Sequence, residues 1–186
     1  MSPLPKGTEV LFLIDSSSDV TPADFQLQKL FVKTLFFHFN ISQTQSRGAA
    51  VIYAADPYAI AGFSDVGFSS KVERARLLGT PRRIDKALEY GALLFKTSGR
   101  KGPKIIVLLT AGKSSVGSKP LKEAIRPLRN IGVQTFVVSL GEGSRSRDHV
   151  SLVDTPDDVY EVLDTGNLPI RAQPIAKEIR DKSSKL

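Results

Sequence analysis

Asp15, Ser17 and Asp19 alternate within "FLIDSSSDVT" (12–21), directly after an apolar run. Three hard oxygen donors set two residues apart can all face inward from a tight turn. Oxygen-only sets of this kind suit Mg²⁺ or Mn²⁺, which prefer octahedral oxygen and keep several waters. The same residue types also build a turn that merely caps the helix beginning near Pro22, because short polar side chains bond nearby backbone. Spacing alone leaves both readings open.

Two enzyme chemistries compete for the same region. An aspartyl-nucleophile phosphotransferase of the haloacid dehalogenase type places Asp at the end of its first strand but needs a second Asp two residues on, where Ser17 stands. "AGKS" (111–114) imitates the end of a P-loop, yet the glycine required five residues before Gly112 is Val107. Neither pattern is complete. His38 and His149 are the only histidines, and neither has Cys or Ser in a triad-like setting. The Asp157-Asp158 pair reads as a turn before a strand.

The elements that must position these residues alternate along the chain. "EVLFLI" (9–14), "KIIVLLT" (104–110) and "VQTFVVSL" (133–140) are short apolar runs of the kind buried on both faces of a parallel sheet. "RGAAVIYAA" (47–55) and "YAIAGF" (58–63) flank an Asp-Pro turn and predict a hairpin; "DVYEVL" (158–163) predicts a last strand. Helical spacing runs through 22–39, with Thr21 as cap and Pro22 at the first position, and through 82–97. Shorter helical pieces are expected at 69–78, 119–130 and 147–153. A closing helix spans 168–182, with a kink or late start at Pro174, which lacks a donor N–H.

This order predicts one α/β domain: a doubly wound, mostly parallel central sheet with helices on both faces and one antiparallel edge strand. Its expected extent is 8–182, with 1–7 an N-terminal extension and 183–186 a tail. Ligands in such sheets sit beyond the carboxyl ends of the strands, where Asp15 and Thr110 both fall.

The chain has 186 residues, 41% of them hydrophobic, enough for a sizeable core. No apolar run approaches the roughly 20 residues that cross a bilayer, so no membrane insertion is expected. Residues 1–7 have no apolar core of a signal peptide, which leaves a cytosolic chain or a domain excised from a longer one and given a start Met. The absence of cysteine rules out a disulfide framework, a thiolate nucleophile and a Cys-based zinc site. Net charge is +7, with basic residues clustered at 71–76, 81–83, 98–104 and 179–185. Such clusters make either a plain solvated surface or a face that attracts sulfate or phosphate polyanions, and on the second reading Arg74, Arg76, Arg82 and Arg83 are the candidate residues for glycosaminoglycan contact. Aromatic residues are not interleaved with these clusters, so nucleic-acid binding is not expected. "NIS" (40–42) makes Asn40 a glycosylation acceptor in a secreted protein.

Four segments in order carry a family resemblance: "VLFLIDSSSDVTPADFQLQKLFV", "LLGTPRRIDKAL", "PKIIVLLTAGKSS" and "TPDDVYEV" followed by "LP". Over about residues 9–179 the chain resembles a von Willebrand factor A domain, and most nearly those of collagen VI chains, the α3 chain above all. The resemblance implies a Rossmann-like fold and a metal-ion-dependent adhesion site built from Asp-x-Ser-x-Ser, a Thr on a second loop and an Asp on a third. These map onto Asp15, Ser17, Asp19, Thr80 and Ala111. Two positions depart: Asp19 replaces a Ser, and Ala111 replaces the third-loop Asp and offers no ligand. The implied site is degenerate, with no cofactor expected and Mg or Mn held weakly if at all. The implied function is a non-enzymatic, secreted extracellular-matrix module for filament assembly and cell or matrix adhesion, partnered by other matrix proteins and neighbouring domains of its kind. The alternative is a metal-dependent ligand-binding domain of the integrin type, with Asp19 standing in for the missing ligand.

Overall fold

The computed structural model describes residues 2–142 and 147–184. The strands are β1 (Glu9–Asp15), β2 (Arg47–Tyr53), β3 (Pro57–Ala61), β4 (Lys104–Thr110), β5 (Val133–Leu140) and β6 (Val159–Val162). They form one sheet in the order β3-β2-β1-β4-β5-β6, and only the edge pair β2–β3 is antiparallel. The helices are α1 (Pro22–His38), α2 (Phe68–Glu73), α3 (Ile84–Ser98), α4 (Leu121–Ala124), α5 (Arg126–Asn130) and α6 (Leu168–Ser183).

Strand periodicity divides the core in two. Val10, Phe12 and Ile14 of β1 face the layer of α1, α2 and α6, where Phe31, Leu35, Phe68 and Ile175 meet them. Leu11 and Leu13 face α3, α4 and α5, against Leu88, Phe95 and Leu128. Because successive side chains point to opposite faces, a strand covered on both sides must be apolar throughout, and all seven residues of β1 are buried. The layered, mostly parallel architecture with one antiparallel edge is the one the alternation of elements predicts.

Three local departures have plain causes. The helix expected over 119–130 is broken into α4 and α5, because Pro127 cannot donate to the preceding turn. The closing helix starts at Leu168 and runs on through Pro174, so there is no late start. The carbonyl that loses its helical donor belongs to Ile170, a residue 74% exposed and so open to solvent. At the amino end, Leu4 lies in the stretch expected to be an extension, yet it is 1% exposed and packs into the core. Gly7 ties this stretch to the body by donating to the Thr44 carbonyl at 2.9 Å.

The strand order reverses beside β1: the chain leaves it for β2 on one side and reaches β4 on the other. The crevice beyond the carboxyl ends of β1 and β4 is the topological switch point, where ligands of doubly wound sheets bind.

Candidate functional site

Pairing between β1 and β4 stops at Leu13 and Leu108, whereas β1 stays paired with β2 as far as Asp15 and Tyr53. The Asp15 backbone therefore lacks a partner on the β4 side. Gln28 of α1, wholly buried, supplies one: its Oε1 accepts from the Asp15 N–H at 3.0 Å and its Nε2 donates to the Asp15 carbonyl at 2.9 Å. α1 is itself started by Thr21, whose hydroxyl accepts from the Asp24 N–H, with Pro22 in the first turn.

Backbone bonds then zip the second loop onto the first. Gly79 N–H donates to the Ser16 carbonyl and Ser18 N–H to the Thr80 carbonyl, each at 2.9 Å, and Leu78 N–H donates to Ser16 Oγ at 2.7 Å. Ser17 and Thr80 consequently form an isolated parallel bridge.

At the centre stands the Asp15 carboxylate, wholly buried. Its Oδ1 accepts from the Ser17 N–H (3.0 Å) and the Ser17 hydroxyl (2.6 Å). Its Oδ2 accepts from Arg82 Nε (2.6 Å) and the Ala111 N–H (2.8 Å). The Arg82 guanidinium is 6% exposed; it also donates through Nη2 to Asp19 Oδ1 and through Nη1 to the Lys113 carbonyl. Burial works against this charge, but Asp15, Tyr53 and Asp19 together outweigh it and hold the Arg82 pKa above its ordinary value. A Cβ built on Gly112 would lie 2.9 Å from Arg82 Nη1, so a glycine is needed for the guanidinium to pass.

The oxygen set does not fit a divalent ion. A carboxylate offers about four lone-pair sites, and protein donors take four on Asp15. The Thr80 hydroxyl is turned to the Ala55 N–H, from which it accepts at 2.9 Å. Ala111 contributes only its backbone amide, and a cation already stands between Asp15 and Asp19. Among the described residues, no group of three or more His, Cys, Asp or Glu is arranged to hold a metal.

The structure places Asp15, Ser17, Asp19 and the Thr80 loop, which the family resemblance groups, side by side at the carboxyl end of β1. It corrects the reading of Arg82, which was grouped with a polyanion-binding face: the side chain is interior and spent on two carboxylates of this site. Arg83 is likewise engaged, pairing with Asp85 through Nε and Nη2 at 2.9 and 2.8 Å. Burial pushes the Asp85 carboxyl up, but Arg83 and the Lys119 amide outweigh that and hold it at about 2. Arg74 and Arg76, beyond α2, are exposed. Asn40 is exposed too, in the left-handed conformation (φ 50°) that Asn tolerates just past a helix end.

Sequence reasoning missed Gln28, Gly112 and His149 as parts of this site. Gln28 is a polar residue inside an apolar helical face, the one signal it offered. His149 is buried: its Nε2 lies 3.0 Å from the Gly112 carbonyl, and its Nδ1 lies 2.5 Å from Ser139 Oγ. A carbonyl only accepts, so Nε2 carries the proton and the neutral ring takes the Ser139 hydroxyl at Nδ1. Burial lowers its pKa, with the Gly112 carbonyl and Asp148 opposing and the Arg82 charge assisting. The sign follows: above about pH 6.5 the ring is neutral folded and unfolded alike, and below it only the unfolded chain gains the proton. Stability should therefore fall as pH drops below about 6.5, with a slope of up to about 1.4 kcal/mol per pH unit. Urea titrations of the native chain and of His149→Gln at several pH values should show a flatter profile for the variant across that window.

The von Willebrand factor type A domain model matches residues 9–173. The chain belongs to that family. Its relatives include mouse von Willebrand factor A domain-containing protein 1, 27% identical over 185 residues, an alignment covering 95% of this chain and 44% of the relative. The human collagen α-1(XXI) chain is 26% identical over 82% of this chain and 16% of its own length. The mouse collagen α-4(VI) chain is 25% identical over 73% of this chain and 6% of its own. The chain spans less than half the length of each. Among solved structures, proximal thread matrix protein 1 of the mussel byssus superposes with a TM-score of 0.83 at 18% identity, covering 95% of this chain and 49% of that one. Another structure of that mussel protein has a zinc-occupied adhesion-site motif. The relatives thus include collagen chains, and no described helix is long and apolar enough to cross a membrane.

Proposed function

We propose that this chain is a non-enzymatic extracellular-matrix interaction module of the collagen VI type, which meets its partners through protein surface without a bridging metal. In this reading it is secreted, serves filament assembly and cell or matrix adhesion, and carries a glycan at Asn40. In the same reading its "TAG" loop and "PDDVYEV" ending are of the α3-chain kind. The observation that carries the metal-free part is the saturation of Asp15 by four protein donors. A metal-bridged adhesion site needs open positions on its carboxylates for the ion, and a further open position on the ion for the partner's ligand. The exposed Arg74 and Arg76 are the surface cations available to sulfated glycosaminoglycans once Arg82 and Arg83 are accounted for.

The test is binding to immobilised collagen VI, measured in EDTA and again in millimolar Mg²⁺. Equal binding in the two buffers is expected. Binding that EDTA abolishes would instead establish the integrin-type, metal-dependent reading. Heparin binding on the same surface format should be lost in Arg74→Glu/Arg76→Glu and should decline with salt.

A further inference from the structure

We infer that the Arg82 guanidinium holds the place of the divalent ion, a cation tethered to the polypeptide that bridges the Asp15–Asp19 pair and bars metal from the site. The inference deepens the metal-free reading above by naming what excludes the ion.

Three features of the geometry assign that role to Arg82 rather than to the missing carboxylate at Ala111. The first is position. Arg82 follows Thr80 by two residues, so the loop expected to present a hydroxyl to the ion presents a cation instead. That loop is fastened to the Asp15 loop by the Ser17–Thr80 bridge. The second is the pattern of contacts. Nε bonds Asp15, Nη2 bonds Asp19 and Nη1 bonds the Lys113 carbonyl, so one planar group joins the three loops that would surround an ion. A guanidinium suits this task because its donors are fixed in a fork and it does not deprotonate in proteins. The third is room. Gly112 lacks the Cβ that would lie 2.9 Å from Nη1, so the guanidinium reaches the Lys113 carbonyl of the third loop without a clash.

The same features account for both departures of the loop from its family. One carboxylate is exchanged for another: the third-loop Asp has become Ala111, and a charge appears instead at Asp19, where Nη2 reaches it. Asp19, whose side chain is 65% exposed, supplies the outer anchor for the guanidinium and stays partly hydrated. A serine there offers no charge to hold Nη2.

The inference makes an unusual demand: removing a cation should create a metal site. Arg82→Ala frees one position on Asp15 and uncovers Asp19, leaving Asp15, Ser17 and Asp19 around a space open to water. Melting should be followed in EDTA and in millimolar Mn²⁺ for the native chain, Arg82→Ala, Arg82→Lys and Arg82→Ala/Asp19→Asn. At about 100 times its Kd, Mn²⁺ should raise the melting temperature of Arg82→Ala by roughly 5–10 °C. The native chain and Arg82→Lys, which keep a tethered cation, should not respond, and Asp19→Asn should cancel the gain. If Arg82→Ala is too unstable to melt cooperatively, refolding from urea with and without Mn²⁺ reads the same property. Absence of any Mn²⁺ effect on Arg82→Ala in either format overturns the inference and leaves metal-independent matrix binding standing. An Asp15-dependent Mn²⁺ response of the native chain overturns both.

Discussion

Asp15→Ala is expected to destabilise the domain by about 3–5 kcal/mol, equally in EDTA and in Mg²⁺. The substitution strands Arg82, whose guanidinium is almost fully buried, and deprives the Ser17 and Ala111 amides of their acceptor. Breaking a buried pair from one side is far costlier than replacing both partners, because the remaining charge stays desolvated. Asp15→Ala/Arg82→Met should therefore recover part of the loss, with a coupling on the order of 2–3 kcal/mol in a double-mutant cycle. Urea unfolding monitored by circular dichroism measures all four corners. A loss that appears only when metal is present would assign Asp15 to an ion rather than to Arg82.

Gln28→Leu comes next in expected size. Leucine is close to glutamine in volume and leaves little cavity, so the cost is that of the two backbone groups left without partners. Both the Asp15 N–H and its carbonyl bond the Gln28 amide, in a stretch where β1 has lost β4 as a neighbour. An unsatisfied buried backbone group costs about 1–3 kcal/mol, which puts the variant roughly 2–5 kcal/mol below the native chain in the same urea experiment. Gln28 acts on Asp15 through the backbone, so its loss should also loosen the carboxylate. Faster hydrogen exchange of the Ser17 and Ala111 amides in Gln28→Leu, with the centre of α3 unchanged, would show that link. Uniformly faster exchange would mean that Gln28 serves only global stability.

These two experiments concern one structural device. α1 holds the end of β1 by its backbone, the Thr80 loop is laced to the Ser16–Ser18 segment, and Arg82 closes the assembly by joining both to the loop after β4. His149 adds a fourth support from the far side of that last loop, through the Gly112 carbonyl. Three loops thus converge on one side chain, and the two variants test whether that side chain holds them together without an ion.

Much of this protein is determined by local pattern. The apolar runs of β1, β4 and β5, the capped start of α1 and the alternation of strands with helices follow from burial on two faces and from turn chemistry, which act within a few residues. The family resemblance rests on the same segments, as does the convergence of Asp15, Ser17, Asp19 and Thr80. What sequence could not decide is where a long side chain goes when the chain folds back on itself. Arg82 in "PRR" is indistinguishable from a solvated surface arginine until Asp15, 67 residues away, is brought within 2.6 Å of it. Likewise, its place on the apolar face marks Gln28 as buried but not what it bonds; its role exists only because β4 parts from β1 at Leu13. The sequence by itself determined the scaffold and the oxygen-rich loop. Only the tertiary structure decided which cation that loop holds, because charge pairing depends on distance through space and a buried carboxylate must be met by whatever donor the fold delivers.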